Sequence, residues 1–346
     1  MHLNIPINPC KKIFIFYGYQ LPMTLQVKEL YSHHTILGGF VNNINIITIS
    51  SDIGAGKKGA YKGPKAVIEL LDFSPKECSI TQIEPIELEN NLQHQFAKGI
   101  DGIVQLQAHA LGKINTIFSE QPGFSLIISG DHSNGHIGIS AVKESNPDKK
   151  IGVIWIDAHA DLHNPGTTPS GNMHGMPLAM SLGIAINPAT KNQLTDLETA
   201  QWNQLLQLGS KQICPKITPE NLVFIELRDF EKEEATIIDQ LQIKYFTPED
   251  RKKFGVKKIA ELTLNHLSDC DLIYISFDVD SMDPSVSEGT GTPVPGGLSK
   301  QEAIELLSIL LKSPQIIALE FTEINPDLPQ SNSMVEVAAD VLNQLF

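Results

Sequence analysis

Apolar residues along this chain come in short unbroken runs, and between the runs they recur at helical spacing. Ile44–Ser50 is a β-branched run, and Ser125–Ser129, Gly152–Ile156, Leu222–Leu227, Leu272–Phe277 and Ile316–Phe321 repeat the theme. Short apolar runs without alternation predict strands buried on both faces. Gly63-Pro64 opens a helix through Ala66–Leu71, with proline near the first turn, where its missing N–H costs nothing. Helical spacing covers Ile100–Phe118, and a further helix is predicted over Leu298–Leu311 after the Gly296-Gly297 turn. Buried strands separated by helices predict an α/β fold: a parallel sheet covered on both faces. No repeat, low-complexity tract or linker divides the patterned region, so one α/β domain is expected over residues 44–346. Residues 1–43 mix aromatics, His33-His34 and Asn42-Asn43 without a sustained period. They are expected to form a separate, loosely docked segment, and Met23 is an alternative start.

A chain of 346 residues buries a full core without disulfides. Its four cysteines (Cys10, Cys78, Cys214, Cys270) are far apart, form no C-x-x-C pair, and read as reduced thiols of a cytoplasmic protein. The formal net charge of −14 argues against a nucleic-acid backbone or an anionic membrane as the main partner and favours a small cationic molecule. No stretch approaches the roughly 18–20 apolar residues that cross a bilayer. Lys11-Lys12 followed by Ile13–Tyr17 lacks a small-residue cleavage site, which argues against a secretory signal.

Open parallel sheets form their sites beyond the carboxyl ends of the strands. Four of the predicted strands run into acids, histidines or both: Gly130-Asp131-His132-Ser133, Asp157-Ala158-His159-Ala160-Asp161, Asp278-Val279-Asp280 and Thr322-Glu323-Ile324-Asn325. Five of the eleven histidines fall between His132 and His174, too dense for chance scatter. Asp157, His159 and Asp161 stand at i, i+2 and i+4, and an extended segment would point all three the same way. Converging carboxylates repel one another unless something positive holds them, and metal ions do so directly. A single aspartate at a strand end is usually a turn former; three clusters closing strands of one sheet are harder to explain that way. Asp157, Asp161, Asp278 and Asp280 with His132 and His159 make a mostly hard, oxygen-rich set, suited to Mn²⁺. Their four charges balance two divalent ions, and two such ions about 3.5–4 Å apart activate one water.

These segments resemble the ureohydrolase family, which includes arginase, agmatinase and their relatives. The resemblance rests on Ser129-Gly-Asp-His-Ser133, Asp157-Ala-His-Ala-Asp161, Ser170-Gly-Asn-Met-His-Gly-Met-Pro177, Ser276-Phe-Asp-Val-Asp-Ser-Met-Asp-Pro284, Glu323-Ile-Asn-Pro326, and Gly289-Thr-Gly-Thr-Pro293 with Gly296-Gly-Leu298. It runs from about residue 44 to 330, and Ser-Gly-Asn-x-His-Gly looks like arginase. The resemblance implies a three-layer α/β/α domain, assembled as a homo-oligomer (trimer or hexamer), with two Mn²⁺ per subunit. One ion would be held by His132, Asp157, Asp161 and Asp278, the other by His159, Asp157, Asp278 and Asp280. The implied reaction is hydrolysis of L-arginine to L-ornithine and urea by a metal-bridging hydroxide, with Asp161 passing the proton to the leaving nitrogen. His174 looks like the proton-shuttling histidine. Glu323 looks like the carboxylate that pairs with the guanidinium, supported by Thr292 through a hydrogen bond, with Glu320 behind it. Ser170 and Asn172 match carboxylate-binding positions. Two residues depart from the pattern: His163 stands where arginases commonly carry Asn, and Glu231 where they commonly carry Asp for the α-amine. His136 has no ligand role in the pattern and reads as helix packing or as a residue supporting the ligands from behind.

Three other readings compete. Gly54-Ala-Gly-Lys-Lys-Gly59 is a literal G-x-G-x-x-G after a strand, as in dinucleotide sites, but the helix starts only at Gly63-Pro64. A non-catalytic relative of the same fold would have lost a ligand, and all six are present. A sister amidinohydrolase acting on agmatine, a guanidino acid or formiminoglutamate is the third.

Overall fold

The computed structural model describes residues 44–72, 78–86, 94–121, 123–187 and 189–346. The segment 1–43, with Met23, His33-His34 and Cys10, lies outside the described residues, as does the side chain of Cys78.

Eight strands are formed: β1 (Ile44–Ile49), β2 (Cys78–Ile83), β3 (Phe124–Ser129), β4 (Ile151–Ile156), β5 (Leu222–Ile225), β6 (Lys244–Phe246), β7 (Leu272–Asp278) and β8 (Ile316–Thr322). They make one sheet in the order β2-β1-β3-β8-β7-β4-β5-β6, every pair parallel. The six strands expected from continuous apolar runs are all present. The two that the pattern does not announce, β2 and β6, are the edges. Their sequences, Cys-Ser-Ile-Thr-Gln-Ile and Lys-Tyr-Phe, leave Ile80 and Tyr245 exposed, so neither reads as a buried run. β5 stops at Ile225, two residues short of expectation. Glu226 there adopts φ 73° and turns its buried carboxylate onto Arg251 Nε at 2.8 Å.

Ten helices connect and cover the strands: α1 (Gly63–Ile68), α2 (Ile100–Glu120), α3 (Gly135–Ser145), α4 (Pro177–Ser181), α5 (Asp196–Leu206), α6 (Lys232–Leu241), α7 (Pro248–Phe254), α8 (Val256–His266), α9 (Lys300–Leu310) and α10 (Met334–Leu345). α9 begins on a reciprocal cap, the Ser299 hydroxyl accepting from Glu302 N–H and the Glu302 carboxylate from Ser299 N–H.

Alternation along each strand sends successive side chains to opposite faces, and both faces are dry. Ile154, Ile156, Ile275 and Phe277 pack on one side with residues of α1, α8, α9 and α10. Val153, Trp155, Phe224 and Tyr274 pack on the other with α2, α3 and α6. This is the three-layer α/β/α arrangement, in one domain. α3 comes close enough to the sheet that a Cβ on Gly138 would lie 2.2 Å from the Tyr274 hydroxyl. Among the described residues no helix is long and apolar enough to cross a membrane.

The order of strands decides where chemistry can gather. β3, β8, β7 and β4 are consecutive neighbours at the centre of the sheet, and they are the four strands that end in acids and histidines.

Candidate metal centre

β3 delivers His132 through a one-turn 3₁₀ segment (His132–Asn134). The imidazole lies flat on Trp155, centroids 4.0 Å apart with planes 5° from parallel. Its Nε2 is 2.8 Å from Ser276 Oγ. The Ser276 hydroxyl proton is already given to Glu320 Oε2 at 2.8 Å, so Ser276 accepts from His132 Nε2–H. Glu320 is itself pinned by Ser129 and Tyr274 at 2.7 and 2.9 Å. It therefore acts behind the site, through Ser276, and fixes which ring nitrogen faces inward.

That inward atom, Nδ1, lies 3.1, 3.2 and 3.1 Å from carboxylate oxygens of Asp157, Asp161 and Asp278. It is buried, yet none of these approaches is aligned as a hydrogen bond; Asp161 Oδ2 is equally without a partner. Four polar atoms aimed at one another without bonding suit an ion placed between them. Among the described residues three sets of candidate ligand atoms lie mutually within 4.8 Å: His132 with Asp157 and Asp278, Asp157 with His159 and Asp280, and His163 with Glu231 and Glu234. The first two share Asp157, so they offer two adjacent cation positions joined by one carboxylate. All six residues expected from the sequence are brought together here.

The way they are brought together differs from the expectation. β4 ends at Ile156, residues 157–159 bend, and Asp161 has φ 53°; the i, i+2, i+4 residues are not in an extended segment. Instead each loop folds an aspartate back on its own backbone. Asp157 Oδ1 accepts from His159 N–H at 2.7 Å, Asp278 Oδ1 from Asp280 N–H at 2.8 Å, and Asp131 Oδ1 from Ser133 N–H at 2.8 Å. These are the same Asx turn repeated at three strand ends. It occupies one carboxylate oxygen and aims the other inward. Asp131 spends its second oxygen on Gly54 N–H at 2.8 Å and stays out of the cluster.

The electrostatics are those of a site short of positive charge. Burial, then Asp280 and Asp157, push the Asp278 pKa well above the carboxylate range. Burial and then Asp157 raise Asp161 to about 6. Burial disfavours charge on His132 and His159, but the surrounding acids outweigh it and hold both well above the ordinary histidine value. Metal-free, the cluster must retain protons where divalent cations would replace them.

A cavity of about 280 Å³ opens above these ligands. His174 sits in its wall with Nδ1 3.0 Å from Glu323 Oε1. Burial opposes charge on His174, yet Glu323 raises its pKa to about 9. Glu323 (φ 63°) also accepts from His132 N–H at 2.9 Å and is 2% exposed. It is therefore occupied with His174 and the backbone rather than lining the cavity. The expected support from Thr292 is corrected: Thr292 Oγ1 donates to Asp280 Oδ2 at 3.2 Å, because its loop passes over the end of β7.

Ser170 and Asn172 also line the cavity. His163 and Glu231, the two departures from the family pattern, meet each other: Nε2 lies 3.0 Å from Glu231 Oε2 and 3.5 Å from Glu234 Oε2. Glu234, missed from the sequence, reaches back to Glu231 N–H at 3.1 Å. An acid three residues into a helix after another acid was the available signal. Burial and then Glu231 raise the Glu234 pKa to about 9. Asp229 and Thr168 also line the cavity and were not singled out.

The glycine-rich turn after β1 backs this site through Asp131 and His174 and is not a phosphate cradle. Gly54 N–H is spent on Asp131, Gly54 C=O accepts from His174 N–H, and α1 begins only at Gly63. His136 packs as expected, between Ser181 and the Leu205 carbonyl. A larger cavity of about 670 Å³ lies between α2 and α5, away from these residues.

The arginase family model matches residues 42–346. The arginase of Bacillus subtilis (strain 168) is 33% identical over 308 residues, spanning 88% of this chain and 97% of that protein. The arginase of Bacillus caldovelox is 30% identical over 312 residues, with 88% and 97% covered. The crystal structure of Entamoeba histolytica arginase in complex with L-ornithine superposes with a TM-score of 0.77 at 26% identity, covering 89% of this chain and 99% of that one. Formimidoylglutamase of Bacillus subtilis has the same fold, with a TM-score of 0.68 at 20% identity, covering 89% and 87%. With a ligand-rich sheet end of this kind and a match that spans the domain, the chain belongs to the arginase family, metal-dependent hydrolases of the ureohydrolase class.

Proposed function

We propose that this hydrolase cleaves the guanidinium group of L-arginine to L-ornithine and urea, using two manganese ions per subunit. The observation that carries the reading is the pair of triads sharing Asp157 at the floor of a cavity walled by acids, hydroxyls and an amide. The donor set fits the ions: mostly hard oxygens with two imidazoles, and two buried polar atoms, His132 Nδ1 and Asp161 Oδ2, that lack partners. When bound, two divalent cations supply the Lewis acidity that makes water a useful nucleophile at neutral pH.

The chain's own residues do the rest. Arginine's guanidinium is always charged, and six acids line the cavity that would receive it: Asp161, Asp229, Glu231, Glu234, Asp278 and Asp280. As water adds to the guanidinium carbon, Asp161 takes its proton and returns it to the nitrogen that leaves with ornithine. His174, held by Glu323 at the cavity wall, relays protons between that nitrogen and solvent. Glu323 assists guanidinium binding through the same contact, and Thr292 keeps Asp280 in place. Glu231, with Glu234 and Asp229 beside it, accepts the α-ammonium, while Ser170 and Asn172 meet the α-carboxylate. His163, already bonded to Glu231, orients that acid. A homo-oligomer, trimer or hexamer, in the cytoplasm belongs to the same reading.

One observation favours a second substrate. The acids Asp229, Glu231 and Glu234 would also hold the plain ammonium of agmatine. Urea release from purified, manganese-loaded protein tests both readings. kcat/KM for arginine is expected to exceed that for agmatine by at least tenfold; the reverse order would overturn the arginine reading, and no urea from either would overturn the hydrolase reading with these substrates.

A further inference from the structure

We propose that Lys98 is a specificity-determining residue of this site: the cation that meets the substrate's carboxylate and so separates arginine from its decarboxylated amine. The proposal rests on the guanidino-substrate reading above and goes beyond it in assigning the discriminating charge to a residue outside the motifs.

The cavity lining carries six acids and no lysine or arginine. Any anionic group on a substrate enters against that field unless a cation stands near its point of entry. The lining acids Asp229, Glu231 and Glu234 suit an ammonium, whereas Thr168, Ser170 and Asn172, which come from one stretch of chain, are neutral. A substrate tail bearing only an ammonium is served by the acids alone. A tail bearing a carboxylate as well needs something positive beside the neutral residues.

Lys98 stands there. It precedes α2, and its backbone is laid alongside the Ser170–Asn172 loop: Lys98 N–H donates to Gly171 C=O at 2.9 Å, and the two segments form a parallel bridge at Lys98 and Asn172. The contact is tight: Gly171 has φ 78°, and a Cβ there would lie 2.1 Å from the Gln95 carbonyl, so no side chain fits between the two segments. From this anchored backbone the Lys98 ammonium reaches Asn172 Oδ1 at 3.2 Å. An ammonium has three donors, and this bond uses one. Among the described residues no carboxylate forms an ion pair with Lys98, whereas Lys58, Lys62 and Lys191 each have an acidic partner. An exposed cation without an acidic partner, bonded to a cavity-lining amide at the mouth of an acidic cavity, is placed to receive an incoming carboxylate.

The test uses the manganese-loaded full chain and compares wild type with Lys98→Gln, Lys98→Glu and Lys98→Arg. Glutamine retains an N–H donor for Asn172 Oδ1 while removing the charge. Lys98→Gln is expected to raise KM for arginine about five- to tenfold with kcat within twofold, as for loss of a partly exposed charge-assisted contact. Lys98→Glu is expected to raise it further, and Lys98→Arg to restore it. Agmatine kinetics stay unchanged with Gln and improve with Glu. Equilibrium binding of L-ornithine and of putrescine, measured by calorimetry, gives a readout apart from turnover: the Gln variant weakens ornithine about five- to tenfold and leaves putrescine alone. Equal loss for both members of either pair would mean a structural role for Lys98 and overturn the proposal. An unchanged arginine KM would overturn it as well. If wild type turns over arginine in either case, the arginine reading survives; if wild type releases no urea from arginine, both fall.

Discussion

The floor and the rim of the cavity are built on different principles. At the floor, four central strands end together, and the carboxylates of Asp157, Asp278 and Asp280 are fixed by their own backbone, by a neighbouring N–H or by a hydroxyl. Asp157, Asp278 and Asp280 are at most 3% exposed, and His132 is locked by Trp155 and Ser276. At the rim, the polar groups sit on loops and on the first turn of α6; the side chains of Asp229 and Glu231 meet water, 65% and 53% exposed, while those of His163 and Glu234 are buried. The two departures from the family pattern, His163 and Glu231, both lie at the rim. A buried floor whose acids and histidine converge within 3.1–3.2 Å tolerates little change. A wet rim can be altered one contact at a time, which is where a change of substrate would be made.

The largest effect should come from the floor. Asp161→Asn or His159→Asn removes a charge or a donor that nothing nearby can replace. Metal content, measured by plasma emission after gel filtration, is expected to fall below two ions per chain, and urea release to fall to background. Full activity in either variant would mean that the two triads are not the working centre. His174→Ala should come next. It touches the cavity but belongs to neither triad, so turnover is expected to drop by about 10²–10³-fold while metal content is kept. Loss of manganese in this variant would move His174 from the wall to the floor.

A pH series separates the regions without mutation. Burial and neighbouring acids raise Asp161 to about 6 and Asp278 well above the usual range, so ligation at the floor requires giving up protons. Manganese occupancy and activity are expected to climb as pH rises through about 6 and above neutrality. The metal-free protein should behave in the opposite way. Groups whose folded pKa is raised, here Asp161, Asp278, His132 and His159, contribute stability at low pH that is lost as pH rises through their folded pKa values. The melting temperature of chelated protein is therefore expected to fall on going from pH 5 to pH 8, with the gap to the manganese-loaded form widening. Glu231 at the rim behaves differently: despite its burial, hydrogen bonding with Glu234 and His163 holds its pKa below the ordinary glutamate value. It stays charged well into the acid range, so a parallel pH dependence of ornithine binding and metal retention would erase the distinction between the two regions.

The same division governs what was legible in the sequence. Strands at the centre of the sheet are continuous apolar runs and could be read directly; β2 and β6, half-exposed edges, could not. The six candidate ligands were legible because strand-end acids at short spacing are rare without a purpose. The reason offered for their convergence, an extended segment with side chains in line, was wrong. The Asx turns at Asp157 and Asp278 do the aiming, and D-x-H or D-x-D spacing reports such a turn as readily as it reports alternation. Glu323 was singled out, but its bond to His174 was not foreseen, nor was Thr292's bond to Asp280. Such partners depend on which loops cross above the sheet. Lys98 was invisible for the same reason: 74 residues separate it from Asn172, and only the parallel bridge brings them together.

The smallest effect sharpens the comparison most. Lys98→Gln, with its expected five- to tenfold change for arginine alone, already tests one side of the rim. On the other side, His163 and Glu231 contact each other at 3.0 Å, and Glu231 is half exposed. An ion pair or charge-assisted contact of that kind is worth about 0.2–1 kcal/mol after screening, which is roughly 1.4- to fivefold in an equilibrium. Glu231→Asp shortens the reach to His163 and His163→Asn removes the partner, so each is expected to raise KM for arginine by that factor, with metal content and kcat unmoved. If the two residues act through their mutual contact, the double variant should be no worse than either single one, since the contact can be lost only once. A double variant whose loss equals the product of the two would mean that His163 and Glu231 touch the substrate separately. In that case His163 would be a substrate ligand in its own right, and the rim would be read by independent contacts rather than by a coupled pair.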